Sequence, residues 1–177
     1  DSNQFVYLVY EDTVYSESAE SLIPVANQIM NYNDNLVLGT VSGDQIFNYD
    51  YNFDFALGGG IELDSMILKA GTLSMAMNSD LSYPATIEMT IPGSTLNGAP
   101  FAVTLNYSAS GSSTTAPLSG GKLVFENSVV DNRLAVHFKV TVHGNGSANN
   151  ASYANFNMNF NGMAFKYLYG YLGQFDL

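Results

Sequence analysis

The stretch Ile46-Phe47-Asn48-Tyr49-Asp50-Tyr51-Asn52-Phe53-Asp54-Phe55-Ala56-Leu57 decides the fold class. Aromatic residues occupy positions 47, 49, 51, 53 and 55, and Asn or Asp fills every position between them. An extended chain turns successive side chains to opposite faces, so this reads as one β-strand with an aromatic face and an amide/carboxylate face. The aromatic face is expected to be buried as the spine of a β core.

The segments around it repeat the pattern. Residues 5–10, Phe-Val-Tyr-Leu-Val-Tyr, form a β-branched and aromatic run suited to a buried strand. Residues 18–30 carry the one helical pattern: Ala19, Leu22, Ile23, Ala26, Ile29 and Met30 recur at spacings of three and four. Pro24 opposes that reading, because inside a helix it removes a hydrogen bond and clashes one turn back, at about 3 kcal/mol. Residues 31–35 (Asn-Tyr-Asn-Asp-Asn) would end the helix.

Strands are then expected at 36–41 and 46–55, joined by a turn at 42–45, and at 61–68 and 72–77, joined by a hairpin at Lys69-Ala70-Gly71. Further strands fall at 85–91, 101–107, 123–125, 134–142, 153–160 and 163–169, with a long Ser/Thr/Gly/Pro-rich loop over 108–121. The expected fold is mainly β: an antiparallel β-sandwich or rolled-up sheet of about ten strands, with one helix near residues 18–30. Residues 1–177 read as a single domain, with a possible subdivision near 58–64, where Gly58-Gly59-Gly60 interrupts the pattern.

Composition narrows the function classes. There is no Cys, so disulfides, thiolate metal sites and a Cys nucleophile are excluded. Residues 1–64 hold eleven acids (Asp1, Glu11, Asp12, Glu17, Glu20, Asp34, Asp44, Asp50, Asp54, Glu62, Asp64) and no Lys or Arg, so the entire net charge of −11 lies there. Nucleic acid and anionic membrane both need basic surface, and neither is expected as a partner. No apolar run is long enough for a transmembrane segment. Only 12% of residues are charged, while Asn, Ser, Thr, Gly and Tyr abound, a balance associated with secreted and surface-displayed bacterial β-proteins.

Each candidate catalytic or metal constellation fails on spacing, on residue type or on specificity. The Asn48/Asp50/Asn52/Asp54 row resembles the start of a calcium loop, but Phe53 stands where that loop needs Gly and Gly59 where it needs Glu. Asp50 and Asp54 would lie roughly 13 Å apart on a strand, beyond glycosidase geometry. Glu62 and Asp64, about 7 Å apart, match an inverting pair only as any two acids at i and i+2 do. His137 and His143 fall on the polar side of one strand about 20 Å apart, too far to share a metal. No catalytic residue, metal site or cofactor is therefore assigned, and the chain is expected not to be an enzyme.

The binding candidates are apolar and aromatic. Met66, Met75, Met77 and Met89 cluster on neighbouring strands, and methionine suits surfaces that accept varied hydrophobic ligands. Tyr49, Tyr51, Met75, Met77 and Met89 are the candidate ligand-binding residues. The segment 69–92 has the rhythm Gly-x-Leu-x-h-x-h-x-Asn…Pro…h-x-h, with h hydrophobic. It resembles β-rich lipid-binding modules of the tubular (TULIP) and late-embryogenesis type-2 kind, and domains of bacterial surface lipoproteins. The resemblance implies a rolled sheet holding lipid in an apolar groove, and it carries no individual functional residue. The expected role is a non-catalytic, exported or cell-surface binding or structural module. The alternatives are a carrier or sensor of a lipid-like ligand, and a carbohydrate-binding domain. The expected partner is a surface partner or a hydrophobic small molecule.

Overall fold

The computed structural model describes residues 23, 25–34, 38–55, 57, 60–108, 111–126 and 132–172. Among them are nine strands: β1 (Gln28–Asp34), β2 (Ser42–Asp54), β3 (Glu62–Ser79), β4 (Ala85–Leu96), β5 (Ala99–Tyr107), β6 (Ser112–Pro117), β7 (Lys122–Val124), β8 (Arg133–Asn145) and β9 (Ala154–Tyr171). They form one antiparallel sheet in the order β1-β9-β3-β7-β4-β8-β2, with β5 added to β4 and β6 added to β3.

The sheet curls on itself as a half-barrel. One wall is β1-β9-β3-β6 and the other is β2-β8-β4-β5, and β7 bridges them by pairing with β3 and, at Thr95↔Lys122, with β4. The inner faces come from alternation: Leu73, Met75 and Met77 of β3, Ile87, Met89 and Ile91 of β4, and Met158 and Phe160 of β9 are all buried. Aromatic rings join the walls at one end. Phe53 of β2 stacks on Phe160 of β9 at 6.1 Å, and Phe55 meets Phe125 edge-on at 5.3 Å.

Several local expectations are corrected. Residues 18–22 and 24 of the proposed helix, and the run at 5–10, lie outside the described residues. No helix occurs among the described ones, and the end of the proposed helix is the start of β1. Met30 is buried while Ile29 is 62% exposed, which is strand alternation; a helical stripe would have buried both. Pairing of Gln28–Asp34 with β9 overrides the weak helical periodicity.

Lys69-Ala70-Gly71 is no hairpin turn. β3 runs through it as one strand of 18 residues, absorbing the irregularity as register shifts against β9 around Leu68 and Ala70. Gly71 sits at φ +139, and a Cβ there would lie 3.2 Å from Met163 Cγ, so glycine lets β9 cross closely. The segments expected at 153–160 and 163–169 likewise merge into β9. Residues 42–45 belong to β2, paired with β8, and the expected loop at 108–121 contains the edge strand β6.

Candidate ligand cleft

The two ends of the curled sheet, β1 and β2, face each other without hydrogen-bonded pairing between them, so the barrel has a seam. Tyr32 of β1 and Tyr49 of β2 meet across it with ring centres 6.5 Å apart. Behind them lies a cleft of about 330 Å³. Its floor is Met77, Leu81 and Ile87, and its walls are Phe138, Val140 and Val142 on one side and Met30, Ala154 and Phe156 on the other. Phe138 and Phe156 touch edge-to-face at 5.0 Å across the two walls. The mouth carries Tyr32, Tyr49, Tyr51, Asn48 and Asp50. This is an apolar chamber with a polar aromatic rim, the usual composition of a small-molecule site, at the small end of the ~300–1,000 Å³ range.

The expectation of a wholly buried aromatic face is corrected here. Phe53 and Phe55 are buried and Phe47 partly so, but Tyr49 and Tyr51 are each 36% exposed. β2 is the last strand of the sheet order, and its inner face is covered most completely at Phe53, which stacks on Phe160 of β9. Of the five candidate ligand residues, the fold brings Tyr49, Tyr51 and Met77 together on the cleft. Met75 and Met89 are fully buried and lie outside the cleft lining.

The end of the cleft is fixed by tyrosine hydroxyls. Tyr107 Oη donates to the carbonyls of Ser79 (2.8 Å) and Leu81 (3.1 Å), which places the Leu81 side chain. Tyr83 Oη accepts from Val41 N–H at 3.0 Å and donates to the Ser147 carbonyl, tying two loops together. Asp80 receives the Ser152 hydroxyl (2.6 Å) and the Ser152 and Tyr153 N–H groups, anchoring the entry to β9. The Ser152 side-chain bond, then its backbone bond, hold the Asp80 carboxyl below its ordinary value of 3.8.

The polar face of the aromatic strand turns outward and borders the cleft only at its mouth, through Asn48 and Asp50. Asp50 pairs with His137 and Asp44 with His143 (2.8 Å) as cross-strand partners of β2 and β8, so each histidine has a carboxylate neighbour on the outer surface. Among the described residues no group of three or more His, Asp and Glu is placed to hold a metal. No helix among them is long and apolar enough to cross a membrane.

No family model and no curated protein matches the chain. Among solved structures it is similar to the Tobacco streak virus coat protein (TM-score 0.31, 12% identity, covering 80% of this chain and 90% of that one). It is similar to the same degree to the family 11 carbohydrate-binding module from Clostridium thermocellum, solved with a β-1,3-1,4-mixed-linked tetrasaccharide (TM-score 0.31, 12% identity, covering 85% and 99%). A third likeness, to a structure of infectious bursal disease virus Gx strain, has a TM-score of 0.25 at 9% identity and covers 85% of this chain and 45% of that one. Likenesses this distant carry no functional argument.

Proposed function

We propose that the chain is a non-catalytic binding module that takes the apolar part of a ligand into the seam between β1 and β2. The observation that carries this reading is the seam itself. Met77, Ile87 and Phe138 close the inner end of a cleft that opens to solvent at the tyrosine mouth. The apolar lining left partly exposed lies toward that mouth, at Phe47, Val140, Ala154 and Phe156. Apolar lining exposed to water is unfavourable by roughly 25 cal/mol per Å², and a ligand that covers it recovers that free energy. The Tyr and Asn rim suits the polar end of such a ligand, since Tyr pairs an apolar ring with a hydroxyl.

The rolled-sheet resemblance of residues 69–92 supports the same chemistry, for Met77 and Ile87 both fall within it. We place the module outside the cytoplasm, exported or displayed on a bacterial surface, on the low charge and the abundance of Asn, Ser, Thr and Tyr. Fractionation of the native host tests that placement.

The ligand reading is tested by titrating the purified, delipidated protein with a fluorescent fatty-acid probe. One equivalent should bind, and Val140→Trp or Ala154→Leu, which fill the chamber from opposite walls, should weaken binding by more than about tenfold. Excluding two methylenes at ~0.8 kcal/mol each corresponds to that factor. Absence of saturable binding, or equal binding by both filled variants, refutes the reading.

A further inference from the structure

The two outer faces of the half-barrel differ in kind. On the β2-β8-β4 wall, polar side chains are cross-linked in pairs: the ion pairs Asp54–Arg133 and Glu88–Lys139, and the carboxylate–imidazole contacts Asp50–His137 and Asp44–His143. On the β1-β9-β3-β6 wall, register sets Ile29, Asn159, Ser74 and Thr115 in one row, and Asn31, Asn157, Ala76 and Ser113 in the next. These rows face outward because Met30, Met158, Met75 and Phe160, at the alternating positions, are buried. They contain no charged residue. Asn159 and Asn157 are half-buried within these rows, and Asn161 Nδ2 donates to Ser74 Oγ at 3.4 Å.

The same outer side of β9 continues beyond Gly162 into Tyr167, Tyr169 and Tyr171, exposed by 51, 50 and 54%. Tyr167 and Tyr169 have ring centres 6.5 Å apart and tilted 45°, so they do not stack on one another. Lys166 lies over the Tyr167 ring at 5.4 Å, which makes Tyr169 and Tyr171 the two without a cation on the ring. From Asn155 to Tyr171 the strand covers about 50 Å at ~3.3 Å per residue.

We propose that this outer track of β9 binds a neutral polysaccharide. Rows of amides and hydroxyls offer donors and acceptors side by side, which is what a polyhydroxylated chain requires. Exposed tyrosine rings supply flat apolar faces for sugar C–H surfaces and hydroxyls at their edges. The amide rows from Asn155 to Asn161 carry no charge, and along the tyrosine stretch Glu62 beside Tyr171 and Lys122 and Lys166 beside Tyr167 intersperse both signs, so the track presents no run of one charge to an anionic polymer. The site is separate from the cleft, on the opposite face of β9 from Phe156 and Phe160.

Affinity electrophoresis through gels containing neutral glucans, mannans or xylans, with alginate and heparin as anionic controls, tests the proposal. At least one neutral polymer should retard the protein, insensitively to salt. Tyr169→Ala with Tyr171→Ala should weaken that binding about tenfold while leaving the melting temperature unchanged. Asn157→Asp, which keeps the size of the side chain and adds charge, should weaken it as well. Val140→Trp should bind polysaccharide normally, so failure of the cleft reading and failure of this one are separately visible. Retardation by anionic polymers only, by none, or equally in the tyrosine variants would overturn the proposal. So would light scattering in which the tyrosine variants dissolve a dimer.

Discussion

Asn132 closes the base of the half-barrel, and removing its side chain has a cost that follows from its burial, its backbone conformation and its hydrogen bonds. It is buried and stands at φ +58, a left-handed conformation that Asn tolerates and Ala does not. Its Oδ1 accepts from Leu63 N–H at 2.7 Å and its Nδ2 donates to the Ile61 carbonyl at 2.6 Å. Its own carbonyl accepts from Phe55 N–H at 3.0 Å, so one residue clasps the end of β2 to the start of β3. Asn132→Ala strands two buried backbone groups at ~1–2 kcal/mol each and adds ~1 kcal/mol of backbone strain, about 3–5 kcal/mol in total. Asn132→Gly loses the same two bonds but relieves the strain, so it should be the milder change by ~1 kcal/mol despite removing more atoms. At roughly 2–4 °C per kcal/mol for a chain of this size, Ala should lower the melting temperature by about 6–20 °C and Gly by a few degrees less. Urea unfolding of the three proteins measures the free-energy losses, and thermal melts measure the temperature shifts. A loss below 1 kcal/mol for Ala, or a glycine variant weaker than the alanine one, refutes the reasoning.

Gly170→Ala should prevent native folding or displace β9, since a Cβ there would lie 2.3 Å from the Glu62 carbonyl oxygen at φ +138; circular dichroism and hydrogen exchange of β9 report it. Asp80→Ala should destabilise near neutral pH and destabilise less in acid. The folded-state carboxyl titrates below its ordinary 3.8, so its contribution is present above that value and is lost as pH falls through the lower folded-state one. The gap between wild type and variant melting curves should therefore begin to narrow as pH falls below about 3.8, and a gap that is constant with pH contradicts the assignment. Tyr107→Phe should loosen Leu81 and raise exchange at residues 79–81, because the phenolic hydroxyl is their shared donor.

Strand alternation made the β class readable from residues 46–57 alone, and the alternations at 85–91 and 101–107 are β4 and β5. What the sequence hid was non-local. Whether Lys69-Ala70-Gly71 turns or bulges depends on β9, ninety residues on in the chain, whose Met163 packs against Gly71. The exposure of Tyr49 and Tyr51 depends on β2 ending the sheet order, which no local pattern encodes. Tyr32 was missed because residues 31–35 read as a helix terminator. Its Asn31-Tyr32-Asn33 alternation matches Asn155-Phe156-Asn157 opposite it, and that shared rhythm was the available signal. Phe138, Val140 and Phe156 look like ordinary inner-face residues in sequence; only the seam makes them a lining.

Native mass spectrometry of the protein purified without detergent, before and after lipid extraction, tests the central claim most directly. The cleft reading predicts a wild-type species carrying one small apolar molecule that extraction removes, and its absence from Val140→Trp purified in the same way. A bare wild-type mass that stays bare after incubation with fatty acids and phospholipids contradicts it.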